Sequence, residues 1–228
     1  MKEVNIKAYT LAYQKIKDML FNLEIKPGET ISELNLSKEL GLSRTPIREA
    51  MRTLEQEGII ISVNGRKKVP SFSLTDIQQI FELKLAIECN VVELATNRQT
   101  VAQKKHMILI RDKIQRLYDI VVADPDRSKS HFPEWDVIDK EFHALTFEMA
   151  GNERARSIVE NLNLQWHRFR MGLFAMENRL ITSMDEHIEI ANLMILNKAQ
   201  EAREKIEEHI KRLYSDVLSS SNMFLQDC

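Results

Sequence analysis

Apolar positions recur at helical spacing, three and four residues apart, along almost the whole chain, and one short stretch breaks that rhythm. From Ile6 to Leu23 the pattern predicts an amphipathic helix that ends before the turn residues Lys26, Pro27, Gly28 and Glu29. A short helix is expected over 33–40, broken by Gly41. Another is expected over 44–57, capped by Ser43, with Pro46 in its first turn and Gly58 as its stop. The exception is 59–63, a β-branched run of three isoleucines, a serine and a valine. Asn64 and Gly65 then form a turn, and 66–72 returns as a second strand; no other strands are expected. From Leu74 onward helices are expected at about 74–97, 100–122, 132–150, 153–176, 179–196 and 198–220, with 123–131 as a loop.

The fold class is therefore mainly α. Residues 1–72 read as an N-terminal winged helix-turn-helix and residues 73–228 as an all-α helical bundle, joined at Ser73–Asp76. Composition narrows the chemistry. The six glycines stand at 28, 41, 58, 65, 151 and 172, never closer than seven apart. Dinucleotide fingerprints, Walker loops and nucleophile elbows need glycines two to five apart, so these enzyme classes are disfavoured. Two cysteines, Cys89 and Cys228, make no disulfide framework. No apolar run is long enough to span a membrane, and a cytoplasmic protein is expected. Residues 1–72 carry 12 Lys+Arg against 9 Asp+Glu, and the remainder carries 20 against 25. A mildly basic front and an acidic back suit two domains with different partners.

In the 44–57 helix, Ile47, Ala50, Met51 and Leu54 form one apolar stripe, while Arg44, Arg48 and Arg52 line the adjoining face beside Thr45. Guanidinium groups on an exposed helix face suit guanine edges and phosphates in a DNA major groove. The hairpin tip adds Asn64, Gly65, Arg66, Lys67 and Lys68, suited to backbone or minor groove. In the back half, Asp139 and His143 stand i, i+4 on one helix, at chelate spacing. His187 and His209 lie symmetrically about a turn expected at Asn197–Lys198, so antiparallel helices bring them to one height. One carboxylate and three imidazoles favour Zn, Ni, Mn, Fe or Co over Mg or Ca.

The segment 32–60, SELNLSKELGLSRTPIREAMRTLEQEGII, with the Asn-Gly wing, resembles the GntR-family winged helix, most specifically at SRTPIREA, 43–50. The back half resembles the helical ligand-sensing domain of FadR-type members (the FCD domain) in DKEFHALTFEMAGN at 139–152, DEHIEIANLMILNKAQEA at 185–202 and EEHI at 207–210. The resemblance implies DNA contacts by Arg44, Thr45 and Arg48, with Asn64 and Gly65 at the wing. It also implies a divalent metal on Asp139, His143, His187 and His209. Two departures stand out: Leu34 and Lys84 replace frequent arginines, the second of which commonly holds an anionic effector. Lys84, Arg168, Arg170 and Asn192 are the candidate effector contacts, with a carboxylate filling open metal positions. The expected function is a ligand-responsive transcription regulator, more often a repressor in this family, acting as a homodimer on a pseudo-palindromic duplex. A regulator that senses the ion alone is the alternative. A metalloenzyme is disfavoured because no HExxH motif or attendant general base accompanies the cluster.

Overall fold

The computed structural model describes residues 2–21, 24–71, 73–173 and 179–224, with side chains from residue 7 onward except 166–173 and 220–224. Two compact units result: Met1–Thr75 with Asn163–Arg168, and Asp76–Leu162 with Phe169–Cys228.

The first unit runs α1 (Lys2–Phe21), β1 (Thr30–Ile31), α2 (Glu33–Leu40), α3 (Arg44–Gln56), β2 (Ile61–Val63) and β3 (Arg66–Lys68). Ser32 caps α2 by accepting from the Asn35 N–H, and Gly41 closes the helix at φ 65, a left-handed value at which a Cβ would be strained. Ser43 precedes α3 in extended conformation, but its side chain makes no capping hydrogen bond, so the expected cap is a backbone one only. The apolar stripe of α3 is buried as its spacing requires: Ile47, Ala50, Met51 and Leu54 are at most 1% exposed. Burying each of the larger side chains contributes about 1.5–3 kcal/mol. They pack with Ala12, Ile16 and Leu20 of α1 and with Leu36 of α2. Tyr9 hydrogen-bonds Thr53 at 3.0 Å, and the Tyr13 hydroxyl donates to Glu57 at 2.8 Å, tying α1 along α3.

The sheet departs from expectation in three ways, the first being that the return strand expected over 66–72 ends at Lys68. Ile59 and Ile60 are not strand: they are buried core residues in the bend after α3, and β2 starts at Ile61. A third strand, β1, pairs antiparallel with β3, Thr30 opposite Lys68, giving the order β1-β3-β2. Two residues are too short to show an alternating pattern, so β1 leaves no trace in the hydropathy.

The second unit is helical: α4 (Leu74–Arg98), α5 (Val101–Ala123), α6 (Phe132–Ala150), α7 (Glu153–Leu173), α8 (Arg179–Ile195) and α9 (Ala199–Phe224). The expected loop at 123–131 is instead largely a 3-10 helix, Pro125–His131, begun by Pro125 where a missing N–H costs nothing. Thr100 and Gln103 form a reciprocal capping box on α5. Asn197, at φ 57, turns α8 into α9 where the histidine symmetry placed the turn. Its side chain accepts from Gln99, which also donates to the Met194 carbonyl at 2.7 Å and so pins the end of α8 to α4. α8 packs between α5 and α9, and α5 also packs on α6. Trp135, Phe142, Met107, Ile110 and Ile114 are fully buried in this core. Among the described residues no helix is long and apolar enough to cross a membrane.

Candidate nucleic-acid interface and metal centre

The first unit presents a basic face. Arg44, Thr45, Arg48 and Arg52 are all exposed along α3, on the side opposite its buried stripe. At the wing tip Asn64 and Gly65 adopt φ 51 and 73, the two positive values of a tight hairpin turn, and both are exposed with Arg66. Lys67 behaves differently. Its ammonium is bound to Glu55 of α3, so this lysine ties the wing to the recognition helix and its charge is already balanced. Arg48 is also engaged: its Nε donates to Glu33 of α2 at 3.2 Å. Arg44 and Arg52 have no carboxylate partner among the described residues.

In the second unit Asp139 and His143 of α6 meet His187 of α8. One ligand atom from each lies within 4.8 Å of the others. His187 Nε2 stands 3.4 Å from His143 Nε2 and 3.2 Å from Asp139 Oδ1, and His143 Nε2 stands 3.7 Å from the same oxygen. For ligands about 2.1 Å from an ion, neighbours are about 3.4 Å apart in a tetrahedron and about 3.0 Å in an octahedron. The observed triangle has the dimensions of one face of such a polyhedron. His209 of α9 adjoins it, its ring centroid 4.8 Å from that of His187 and nearly perpendicular, but it stands outside the tight group of three.

The outer partners show which nitrogens are available. His187 Nδ1–H donates to the Ser183 carbonyl at 2.7 Å, and His209 Nδ1–H donates to Glu186 at 2.6 Å. His143 Nδ1 faces Glu88 Oε2 at 3.8 Å. His187 and His209 thus each hydrogen-bond an oxygen through Nδ1, the arrangement that orients a metal-ligating histidine and leaves Nε2 with its lone pair, whereas the carboxylate facing His143 Nδ1 stands beyond hydrogen-bond distance. Loss of water around the His143 ring pushes its pKa down to about 4, against the pull of Asp139 and Glu88. Burial likewise lowers that of His209, opposed by its bond to Glu186. Both rings are neutral at pH 7, as ligation requires.

Glu88 and Glu186 went unnoticed in the linear pattern. Burial alone would raise the Glu88 carboxyl, but Lys84, followed by His143, outweighs it and holds the group below the usual carboxylate range. Lys84 Nζ donates to Glu88 at 2.5 Å, and both residues are 4% exposed. Glu186 is held down in the same way, its burial outweighed by His209, Arg179 and Arg212. The signals were present as an i, i+4 Lys-Glu pair and a Glu beside His187, but on a helix such residues are ordinarily solvated. Trp135, fully buried, stacks edge-on to His187 at 5.0 Å, and its indole N–H has no hydrogen-bond partner among the described residues. Asn192 does not reach this cluster freely: its carbonyl accepts from Arg111 at 2.8 Å. The side chains of Arg168 and Arg170 lie outside the described residues.

The depressed His143 pKa has a consequence for metal-free protein. Between pH 6.5 and about 4 the unfolded ring binds a proton that the folded ring refuses, so stability falls as pH drops through that window. Thermal unfolding in chelator should show this slope reduced in His143→Gln. An unchanged slope would acquit His143.

Comparison with known proteins places both units. The profile of bacterial regulatory proteins, gntR family, matches residues 8–67, and that of the FCD domain matches residues 79–212. An uncharacterized HTH-type transcriptional regulator of Bacillus subtilis (strain 168), YdhC, is 27% identical over 203 residues, 88% of this chain and 87% of its own length. The Nta operon transcriptional regulator of Aminobacter aminovorans is 26% identical over 204 residues, covering 88% of this chain and 90% of its own. The solved structure of Escherichia coli McbR/YncC superposes with a TM-score of 0.73 at 16% identity, covering 94% of this chain and 98% of that one.

Proposed function

Because this chain belongs to the GntR family of bacterial regulatory proteins and carries an FCD domain, we propose that an organic acid bound at a divalent-metal centre controls its grip on an operator. The chain is a DNA-binding transcriptional regulator and not an enzyme, as its relatives and fold neighbours are. The observation that carries the metal reading is the Asp139, His143 and His187 triangle, with His187 oriented by the Ser183 carbonyl at its Nδ1. These three residues hold the ion, and His209, oriented by Glu186, supplies the fourth ligand through Nε2. Imidazole-rich ligation selects Zn, Ni, Mn, Fe or Co. The bound ion supplies a Lewis-acidic point for a carboxylate oxygen. Around it, Lys84 brings a buried ammonium already paired with Glu88, and the orphan Trp135 N–H is a donor whose desolvation costs about 1–3 kcal/mol until an acceptor arrives.

The DNA-binding set is Arg44, Thr45, Arg48 and Arg52 on α3, with Asn64, Gly65 and Arg66 at the wing; Lys67, paired with Glu55, braces the wing against α3. A single recognition helix reads few base pairs, so the protein acts as a cytoplasmic homodimer on a pseudo-palindromic site. As a repressor it leaves that site when the effector shifts the balance between two dimer states.

The test uses a duplex selected by the wild-type protein from a randomised pool. Two chains should bind each duplex, and Arg48→Ala should cost about 1–3 kcal/mol on it. Zinc and a panel of small mono- and dicarboxylic acids are then added separately and together. Release with both together, and with neither alone, is the expected result. Release by zinc alone makes the ion the signal, and failure to select any duplex ends the DNA-binding assignment.

A further inference from the structure

Of the three arginines on the exposed face of α3, one is held by a carboxylate before any DNA is present. Arg48 Nε donates to Glu33 Oε2 at 3.2 Å across 15 residues, from the middle of the basic face to the first turn of α2. The Arg48 side chain is 67% exposed and that of Glu33 33% exposed, so the contact lies at the exposed surface that carries the three arginines of α3. A carboxylate there is an unusual choice. It repels every phosphate that approaches, and it lowers the non-specific affinity that the three arginines exist to provide.

We infer that Glu33 is a specificity-determining residue that turns Arg48 from a phosphate clamp into a guanine reader. This rests on the DNA-binding reading of α3. A free guanidinium has two edges available and can settle on phosphate or base. With Nε committed to Glu33, the two terminal nitrogens remain, and these form the fork that matches guanine O6 and N7. The same carboxylate disfavours phosphate as the alternative partner. Glu33 therefore lowers affinity for random DNA while raising discrimination at one base pair. Arg44 and Arg52, with no such partner among the described residues, stay suited to phosphate. The pairing also bears on Leu34, next to Glu33: with no cation at that position, Arg48 is the cation that balances the charge of Glu33 in the first turn of α2.

The two effects have opposite signs, which separates this role from a structural one. Binding is measured by anisotropy with full-length protein on three probes: the duplex selected by wild type, its single-base-pair variants, and a scrambled duplex. Arg48→Ala locates the base pair that Arg48 reads, where discrimination falls by about 5- to 160-fold, the equivalent of one good bidentate contact. Glu33→Ala should lose discrimination at that same base pair and at no other, while the scrambled duplex binds more tightly than to wild type. Glu33→Gln keeps the acceptor for Nε and loses the charge, so discrimination should largely return while the tighter scrambled binding persists. Glu33→Ala weakening both duplexes alike, or leaving discrimination at the Arg48 base pair intact, overturns the inference. If Arg48→Ala alters no base-pair preference, Arg48 is a phosphate contact and the inference fails while DNA binding stands. If wild type selects no duplex at all, both fall together.

Discussion

Zinc added to the His187→Ala protein leaves its melting temperature unchanged, while the wild-type midpoint rises with zinc concentration. In wild type a bound ion would join α6 to α8 through Asp139, His143 and His187, and anything that binds only the folded state stabilises it by mass action, about 2.7 kcal/mol at a hundredfold excess over Kd. Removing His187 deletes the corner that stands closest to both other ligand atoms, at 3.2 and 3.4 Å. The substitution also leaves a cavity beside Trp135 and Phe142, whose rings pack on His187 at 5.0 Å, so the variant melts lower in chelator. The zinc-dependent increment is for that reason the quantity to read. Binding to the selected duplex should survive, because α3 and the wing are untouched. A metal-to-chain ratio that stays near one, with a preserved zinc increment, would remove His187 from the site. A wild-type chain that takes up no transition metal at neutral pH would return all three histidines to ordinary core packing.

Glu186→Ala destabilises the protein, by less than the about 3–5 kcal/mol that a fully stranded buried charge costs, because Asp216 still faces Arg179. Glu186 is 4% exposed and stands between two cations and a histidine: Arg179 at 3.5 Å, Arg212 at 3.2 Å and His209 at 2.6 Å. Arg179 is 5% exposed, and none of its guanidinium nitrogens makes a hydrogen bond among the described residues. Asp216, at 3.0 Å, would be its one remaining carboxylate among the described residues. Glu186→Gln keeps the shape and should cost less. Urea unfolding in chelator measures both, and a Glu186→Ala midpoint equal to wild type would show that water reaches Arg179. The same change frees the His209 ring from its orienting acceptor. Losses of this kind weaken metal binding by about 10- to 100-fold, which isothermal titration with zinc would register apart from stability.

Much of this protein is written in local order. The helix boundaries follow from a rise and rotation that every residue repeats, so Ile47, Ala50, Met51 and Leu54 point inward and Arg44, Arg48 and Arg52 outward wherever α3 packs. Asp139 and His143 are neighbours for the same reason, and the His187–His209 meeting needs only the antiparallel turn that Asn197 makes. Spacing along one helix, or symmetry about one turn, is a property of the covalent chain. The remaining features join residues far apart in sequence whose positions no periodicity relates. Glu33 reaches Arg48, Glu55 balances Lys67, Arg111 claims Asn192, and Glu88 lies behind His143. In each pair the residue looks like a solvated charge in its own helix. Its partner depends on how closely two helices approach and at what angle, to within an ångström or two. A charge 4 Å from its partner interacts several-fold more strongly where water is excluded than in bulk solvent, so that distance and the burial around it decide what the residue does. The grouping of Asp139, His143 and His187 was therefore legible from spacing, whereas Glu88 and Glu186 came into view beside the histidines once α4, α6, α8 and α9 were packed together.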